Sequence, residues 1–332
     1  MSPLPTSTRR ALTAVSADGS RIHVEVYGSE GRPAVVLAHG WTCSTRFWSA
    51  QTAGLAAEQR VIVYDQRGHG RTAFPGPGAC TADTLADDLE AVLAATLAPG
   101  ERAVFAGHSM GGMAIMAAAR RPGFREHAAA VLLCSTGSSG LVAESLVLPL
   151  RAGRVRTRLT RAVLGSRAPL GPVTALSRRI LRYATMGPAT APERVARCAR
   201  IVHACGRRAR VAWSHVLDTL DLDAYVRELR VPTAVLVGTA DRMTPPVHAR
   251  ALAAALPDCT GLTVLPGVGH MTPVEAPEAV TGAIRALVVA YLDADVRGGE
   301  VRACAVDDRT ADTRTAEVGA ATADVTTTED VA

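Results

Sequence analysis

Short, predominantly apolar runs recur along the chain and alternate with longer stretches of helical periodicity. The apolar runs lie at residues 34–38, 61–66, 103–107, 129–136, 233–239 and 262–267. Continuous apolar runs are typical of strands that are covered on both faces, as in a parallel sheet. Helical patterns lie between them, at about 44–57, 81–97, 110–121, 245–256 and 275–292. This alternation predicts an α/β fold whose central sheet is mostly parallel and has helices on both faces.

Two segments depart from the alternation. Residues 11–28 form two alternating runs around Asp18-Gly19 and predict a β-hairpin, which makes the run at 129–136 the sixth strand. Nearly a hundred residues then pass before the next apolar run, and their pattern is helical with several prolines. Insertions into such sheets occur at the carboxyl ends of strands, where ligands bind. We therefore interpret residues 138–228 as a helical lid.

The remaining segments follow from these two. The predicted core has a first part at 1–137 and a second part at 229–292. Residues 293–332 lack periodicity and large apolar groups, so we expect an acidic, disordered tail. Neither a long apolar span nor a secretory leader is visible, and the seven cysteines show no zinc spacing. These features predict a cytoplasmic protein with reduced thiols and no metal or organic cofactor.

A serine stands where the run at 103–107 gives way to a helical pattern, in the motif Gly107-His108-Ser109-Met110-Gly111. The two glycines allow a sharp turn and close packing of helix on strand, so that the serine side chain lies above the strand ends. The turn also places backbone N–H groups and the positive end of a helix beside the hydroxyl. Ser109 is therefore the candidate nucleophile.

A serine hydroxyl needs a base, and the base needs an acid that orients it. On such a sheet the expected chain order is serine, acid, histidine. Asp241 and His270 each follow a predicted strand in that order. The alternative for Asp241 is a helix N-cap before Pro245, and the alternative for His270 is a loop residue that caps the following helix. Both features in the expected order favour a catalytic triad.

Other residues are assigned to the support of the site. An oxyanion hole requires two donors, which we assign to the N–H groups of Met110 and Trp41. Gly40 permits the backbone conformation of that loop, and His39 is expected to hydrogen-bond it. His108 is expected to pack beside Ser109. Within the segment 65–72, three residues are expected to brace the loops around the site, namely Asp65, Arg67 and His69.

Together, five motifs resemble those of the α/β-hydrolase superfamily, in its capped branch of serine esterases and lipases. They are HGW, YDQRGHGRT, GHSMGG, GTADRMTP and GVGHMTPVEAPE, in that order along residues 11–292. The resemblance implies an α/β-hydrolase fold with an inserted lid and a serine nucleophile that cleaves carboxylic esters, including lipid-like ones. It leaves three alternatives: a thioesterase or cyclase on carrier-bound acyl chains, a haloperoxidase-like perhydrolase, and a small-molecule receptor on a hydrolase scaffold.

Charge is distributed unevenly along the chain. Residues 151–210 hold fifteen arginines and one acid, whereas residues 293–332 hold ten acids and four arginines. Three interpretations remain for the basic segment: a solvated helix face, a surface for an anionic membrane, or a site for an acidic partner such as an acyl-carrier protein or the acidic tail. No aromatic residues are interleaved with the arginines in the manner of nucleic-acid binding, so nucleic acid is not expected.

Overall fold

The computed structural model describes residues 10–293, which fold around an eight-stranded sheet. Its strands are β1 (Arg10–Val15), β2 (Arg21–Tyr27), β3 (Ala34–Ala38), β4 (Arg60–Tyr64), β5 (Ala103–His108), β6 (Ala128–Cys134), β7 (Thr233–Gly238) and β8 (Cys259–Leu265). They lie in the order β1-β2-β4-β3-β5-β6-β7-β8. β2 pairs antiparallel with β1 and β4, and every other neighbouring pair is parallel. The predicted α/β architecture is confirmed.

The hairpin predicted at residues 11–28 is also confirmed, because β1 and β2 pair across a tight turn. Gly19 adopts φ +83°, a left-handed conformation that glycine takes without steric cost. The Ser20 N–H donates to the Asp18 carboxylate over 3.0 Å, and the Gly19 N–H donates to the Ser16 carbonyl over 2.9 Å. The Asp-Gly pair therefore closes the turn by side-chain and backbone hydrogen bonds together.

Thirteen α-helices connect or cover these strands within the described residues. They are α1 (Ser49–Leu55), α2 (Ala82–Thr96), α3 (Met110–Ala117), α4 (Pro122–His127), α5 (Leu141–Glu144), α6 (Arg154–Leu164), α7 (Ala175–Thr185), α8 (Pro192–His203), α9 (Arg207–Thr219), α10 (Asp223–Val226), α11 (Pro246–Ala255), α12 (Thr272–Glu275) and α13 (Pro277–Tyr291). Each of the five predicted helical stretches contains one of them. The short helix α4 was not predicted; it begins at Pro122, whose fixed φ suits the first helical position.

Burial differs sharply between the central strands and β8. Every residue of β3, β5 and β6 is buried, as expected for strands covered on both faces. β8 lies at the edge of the sheet, and its residues are half-buried or exposed. The expectation that this run is covered on both faces is therefore wrong. An apolar run indicates a strand but carries no information about whether the strand lies at an edge.

Residues 138–228, which we call the insert, lie between β6 and β7 and contain helices α5 to α10. The two ends of the insert meet. The Leu222 N–H donates to the Ser138 carbonyl over 2.8 Å, and Ser139 forms an antiparallel bridge with Asp221. The segment therefore leaves and rejoins the sheet at one place, near the carboxyl end of β6.

Three further expectations concern composition. Among residues 10–293, no helix is long and apolar enough to cross a membrane. The six cysteines in this range are free thiols, of which four are buried. No group of three or more potential metal ligands occurs among the described residues. The predicted disordered tail at 293–332 lies, apart from Asp293, outside them.

Candidate active site

Ser109 occupies a strained turn between β5 and α3. Its backbone has φ +51° and ψ −119°, a conformation rare for a residue with a side chain. The surroundings hold it there: the Ser109 N–H donates to the Cys134 carbonyl over 3.0 Å, and the Thr136 hydroxyl donates to the Ser109 carbonyl over 2.8 Å. Backbone strain that surrounding contacts hold in place in this way is typical of a functional turn.

The glycines on either side of Ser109 are required by close packing. A Cβ on Gly111 would lie 2.0 Å from the carbonyl oxygen of Ala38 in β3, and a Cβ on Gly107 would lie 2.6 Å from Gly112. A side-chain carbon cannot approach non-bonded atoms so closely, so any larger residue would push α3 away from the sheet. The glycine motif thus allows α3 to pack against β3, with Ser109 at the turn between β5 and α3.

Asp241 and His270 form a buried pair near the ends of β7 and β8. The Nδ1 of His270 lies 2.9 Å from Asp241 Oδ2, and both residues are buried. Asp241 also accepts hydrogen bonds from the N–H groups of Met243 and Thr244, both over 2.9 Å. Four donors, counting the Thr244 hydroxyl, therefore fix the carboxylate that orients the imidazole.

The alternative interpretation of Asp241 was a helix N-cap. Helix α11 begins at Pro246, and Pro245 precedes it, so Asp241 caps the turn before the helix and not the helix itself. The same carboxylate also contacts His270. The capping and orienting roles are therefore combined in one side chain.

The loop that carries His270 is bound to the insert as well as to the sheet. The N–H groups of His270 and Met271 both donate to the carbonyl of Thr185, the last residue of α7, over 2.8 and 3.2 Å. A Cβ on Gly269 would lie 2.4 Å from Met186. The end of α7 therefore fixes the height of the histidine loop above the sheet.

Glu275 reinforces this junction, and sequence reasoning assigned it no role. Its carboxylate accepts hydrogen bonds from the N–H groups of Gly187, Gly269 and Met271 over 2.7, 3.1 and 3.0 Å. It also accepts one from the Thr190 hydroxyl over 2.6 Å. One carboxylate thus joins the insert to both neighbours of His270. Glu275 lies shortly after His270 within the motif GVGHMTPVEAPE. This proximity is the feature of the sequence that could have indicated its role.

His108 packs beside the proposed nucleophile, as predicted. Its ring lies between those of Phe47 and His270, with centroids 4.6 and 4.9 Å away. Its Nε2–H donates to the carbonyl of His270 over 2.8 Å. Burial lowers the pKa of His108 well below its usual range, so the ring is neutral and serves as packing and as a link to the histidine loop.

The loop after β3 lies against the serine. A Cβ on Gly40 would lie 3.0 Å from Ser109 Cβ and 2.7 Å from His108 Nδ1, so only glycine fits there. Among residues 10–293, neither the Trp41 N–H nor the Met110 N–H donates to a protein acceptor. Met110 is the first residue of α3, so its N–H has no partner within the helix. Both N–H groups therefore lack a protein acceptor in this part of the chain, and their oxyanion role stays a prediction.

Buried polar residues brace this loop. His39 donates to the Gly40 carbonyl over 2.8 Å and accepts from the Gln66 N–H over 3.1 Å. His69 Nε2 accepts from the Thr42 N–H over 3.1 Å. Burial lowers the pKa of His39 to about 4 and that of His69 to about 3, so both rings are neutral near pH 7.

Asp65 and Arg67 complete the bracing. Asp65 accepts from the Thr45 N–H over 2.7 Å, and the Arg67 guanidinium forms a two-point ion pair with Asp88. These contacts agree with the supporting roles expected of both residues.

The structure thus places five predicted residues at the carboxyl ends of the strands: Ser109, Asp241, His270, Trp41 and Met110. The His270–Asp241 contact is formed, whereas in this part of the chain the Ser109 hydroxyl makes no hydrogen bond to His270. Catalytic hydrogen bonds are often loose before substrate binds and tighten in the complex. The arrangement has the parts needed for acyl transfer: a strained serine, an oriented imidazole and two unpaired N–H donors.

A doubly wound sheet with a sharp serine turn between strand and helix defines the α/β-hydrolase class of folds. The comparison with family profiles gives the family. The sequence profile of the Alpha/beta hydrolase family matches residues 35–283. The chain belongs to this family.

Similar proteins carry different activities in their names. RutD of Variovorax paradoxus, whose name describes a carbamate hydrolase, is 31% identical over 258 residues, which are 75% of this chain and 89% of RutD. EphD of Mycobacterium tuberculosis, whose name describes an oxidoreductase, is 35% identical over 127 residues; the match spans 38% of this chain and about a fifth (21%) of EphD. An esterase of Thermogutta terrifontis, solved with malate bound, superimposes with a TM-score of 0.67 at 26% identity, covering 84% of this chain and 98% of that one.

Proposed function

We propose that the protein is a serine hydrolase that cleaves carboxylic esters through an acyl-enzyme on Ser109. The observation that carries this proposal is that the strained Ser109 turn and the buried His270–Asp241 pair lie at the same carboxyl-terminal edge of the sheet. Similarity to an esterase at 26% identity over most of both chains supports the choice of an ester substrate.

We infer the following steps from the roles assigned to these groups. Ser109 Oγ attacks the acyl carbonyl while His270 Nε2 accepts its proton. His270 Nδ1–H donates to Asp241, which holds the correct tautomer and stabilises the imidazolium. The oxyanion of the tetrahedral intermediate accepts from the N–H groups of Trp41 and Met110. His270 then protonates the leaving alkoxide, and later deprotonates the water that releases the acid.

The insert adds a boundary to this site, in the manner of a lid. Its α7 ends at the histidine loop, so groups at that end of the insert border the site. A lid that excludes water strengthens every electrostatic interaction with the developing charge.

The deciding experiment combines Ser109→Ala with a panel of p-nitrophenyl esters of graded chain length. We expect the wild type to turn over at least one ester, and Ser109→Ala to lose roughly 10⁴-fold or more in kcat. Ser139→Ala is the matched control, since its hydroxyl only binds Asp223 at the base of the insert. A fluorophosphonate should label wild type but not Ser109→Ala, with fluoride displaced and an O–P bond formed.

Thioester and carbamate substrates, added to the panel, test other substrate classes, and the labelling tests the receptor alternative. Equal rates for Ser109→Ala and wild type would refute the proposal. Cleavage of acyl thioesters or of carbamates in preference to esters would keep the serine mechanism but change the substrate class; similarity to RutD makes carbamates a necessary arm. An intact protein that binds esters, cleaves none and resists labelling would be a receptor.

A further inference from the structure

Two helices of the insert expose apolar side chains in regular rows. In α6 the row is Val155, Leu159 and Val163, and in α7 it is Leu176, Ile180 and Tyr183. These spacings of three and four residues place each row on one helix face. The six side chains are between 43% and 70% exposed. Each helix therefore turns a row of apolar groups to the outside instead of to the core.

These rows belong to a concentration of exposed apolar groups. Of the fourteen large apolar side chains that are exposed among residues 10–293, ten lie in residues 146–183. Apolar residues scattered singly over a surface are normal, whereas a cluster marks an interaction site. The segment carries such a cluster.

Arginines accompany the rows, and acids are absent. Residues 146–190 contain nine arginines and no aspartate or glutamate. In α6, Arg154, Arg158 and Arg161 share one side of the helix beside the apolar row, because they too are spaced by four and three residues. Of the nine, only Arg161 is paired with a carboxylate, that of Asp218, in the described part of the chain. The segment therefore has a large positive charge that the rest of the structure does not neutralise.

A cavity of about 700 Å³ lies beside the arginines of α7. Arg178, Arg179 and Arg182 line it together with Arg242, which directly follows the proposed catalytic Asp241. Arg242 is held in place, since its guanidinium donates to the Tyr183 carbonyl over 2.7 Å and lies 4.6 Å from the centre of the Tyr183 ring. The cavity thus offers anion-binding groups next to an exposed apolar row.

We propose that α6 and α7 form a monotopic membrane-binding surface that takes anionic lipid. Helices that lie in a bilayer interface combine an apolar row with flanking basic residues, which bind acidic head groups while the row enters the acyl boundary. Both parts are present on each helix. The lipid phosphates would meet the arginines, including those of the cavity.

Other occupants match the surface less well. A second copy of the chain would oppose the same arginines to each other, which like-charge repulsion disfavours. The acidic segment 293–332 could neutralise the arginines, but its only large apolar residues are valines, so it offers little to cover the rows. An acidic carrier protein would use the charge and leave the rows in water. An anionic bilayer satisfies both.

The test is co-sedimentation of the full chain with vesicles of phosphatidylcholine alone or with 30% phosphatidylglycerol. The apolar variant is V155Q/L176Q/I180Q, and its matched control is V15Q/V247Q/V289Q, which changes three other exposed apolar residues outside the insert. The charge variant is R154Q/R158Q/R178Q/R179Q, and its control is R21Q/R32Q/R227Q/R250Q, with the same change in net charge. None of these substitutions touches the proposed catalytic groups.

We expect wild type to bind the anionic vesicles, more weakly as salt rises, and to bind neutral vesicles little. Each arginine near an anionic surface contributes roughly fivefold to partitioning, so the charge variant should lose on the order of several hundredfold. The apolar variant should lose at least tenfold. Both controls should lose less than the matching variants.

Several results would overturn the proposal. These are no binding of wild type to anionic vesicles, equal losses in variants and controls, or a change of oligomeric state in the apolar variant without loss of vesicle binding. Binding does not require ester cleavage, so Ser109→Ala should bind vesicles like wild type. The apolar and charge variants and their two controls should retain wild-type hydrolysis of a water-soluble ester, and this separates a failed membrane surface from a failed enzyme assignment.

Discussion

The proposed site and helices α6 and α7 of the insert use space in opposite ways. Around Ser109, every group is packed so tightly that glycines are required at three positions near it, Gly40, Gly107 and Gly111. On α6 and α7, rows of apolar side chains extend outward and are largely exposed. The region around Ser109 is therefore specified by contacts within the chain. Helices α6 and α7 instead have the composition of one side of an interface.

Glycine-to-alanine changes should show this contrast at its largest. In Gly111→Ala the new methyl group would lie 2.0 Å from the Ala38 carbonyl, so we expect a loss of roughly 3 kcal/mol or more in unfolding free energy, or no folded protein. Gly206→Ala in the insert has open space and φ −61°, so its effect should stay within about 0.5 kcal/mol. Urea denaturation measures both. Equal effects would mean that the elbow is as loosely packed as the insert.

The junction between the two regions sharpens the comparison. Glu275→Gln keeps the size of the side chain but replaces one accepting oxygen by an amide that cannot accept from the N–H groups around it. Because Glu275 positions the loop of His270, we expect kcat on a soluble ester to fall roughly tenfold or more while KM changes little.

Glu278→Gln is the matched control, since Glu278 is exposed in the first turn of α13. It should leave kcat unchanged. A loss of thermal stability in Glu275→Gln without any change in kcat would show that the carboxylate only holds the insert in place.

Acid should destabilise the fold through the buried histidines that brace the proposed site. Burial lowers the pKa of His39 and His69 in the folded state, so the unfolded chain binds more protons below about pH 6.5 and stability falls as pH decreases. Between pH 7.5 and 5.5 each histidine should contribute a loss of about 1.4 kcal/mol. His39→Asn should be less stable at pH 7.5 but show a smaller loss over this interval. Urea midpoints at both pH values check this; an unchanged loss would show that His39 is not the titrating group.

Much of the fold and of the site was predictable because strand ends are local features of the sequence. Ser109, Asp241 and His270 each follow an apolar run, and the carboxyl ends of parallel strands meet at one edge of the sheet. Glu275 was not predictable in this way, because its partners Gly187 and Thr190 are more than eighty residues distant in the chain.

The sequence also did not predict which faces of helices α6 and α7 are exposed. The pattern of α6 and α7 is amphipathic, and an amphipathic helix usually buries its apolar face. Whether that face meets the core depends on packing of distant elements, as it does for the edge strand β8. The helical periodicity predicted the helices, but it did not predict whether their apolar rows face the core or the outside.

The hydrogen bonds from the His270 loop to the carbonyl of Thr185 limit how this protein could be re-engineered. A chimaera that exchanges residues 138–228 for the equivalent segment of a relative would also replace Thr185, which supports the loop of the proposed general base His270. Exchange points placed after α7 and before Thr190 would divide one hydrogen-bonded joint between two parents. Exchanges confined to α6 and the first turns of α7 would leave this joint within one parent.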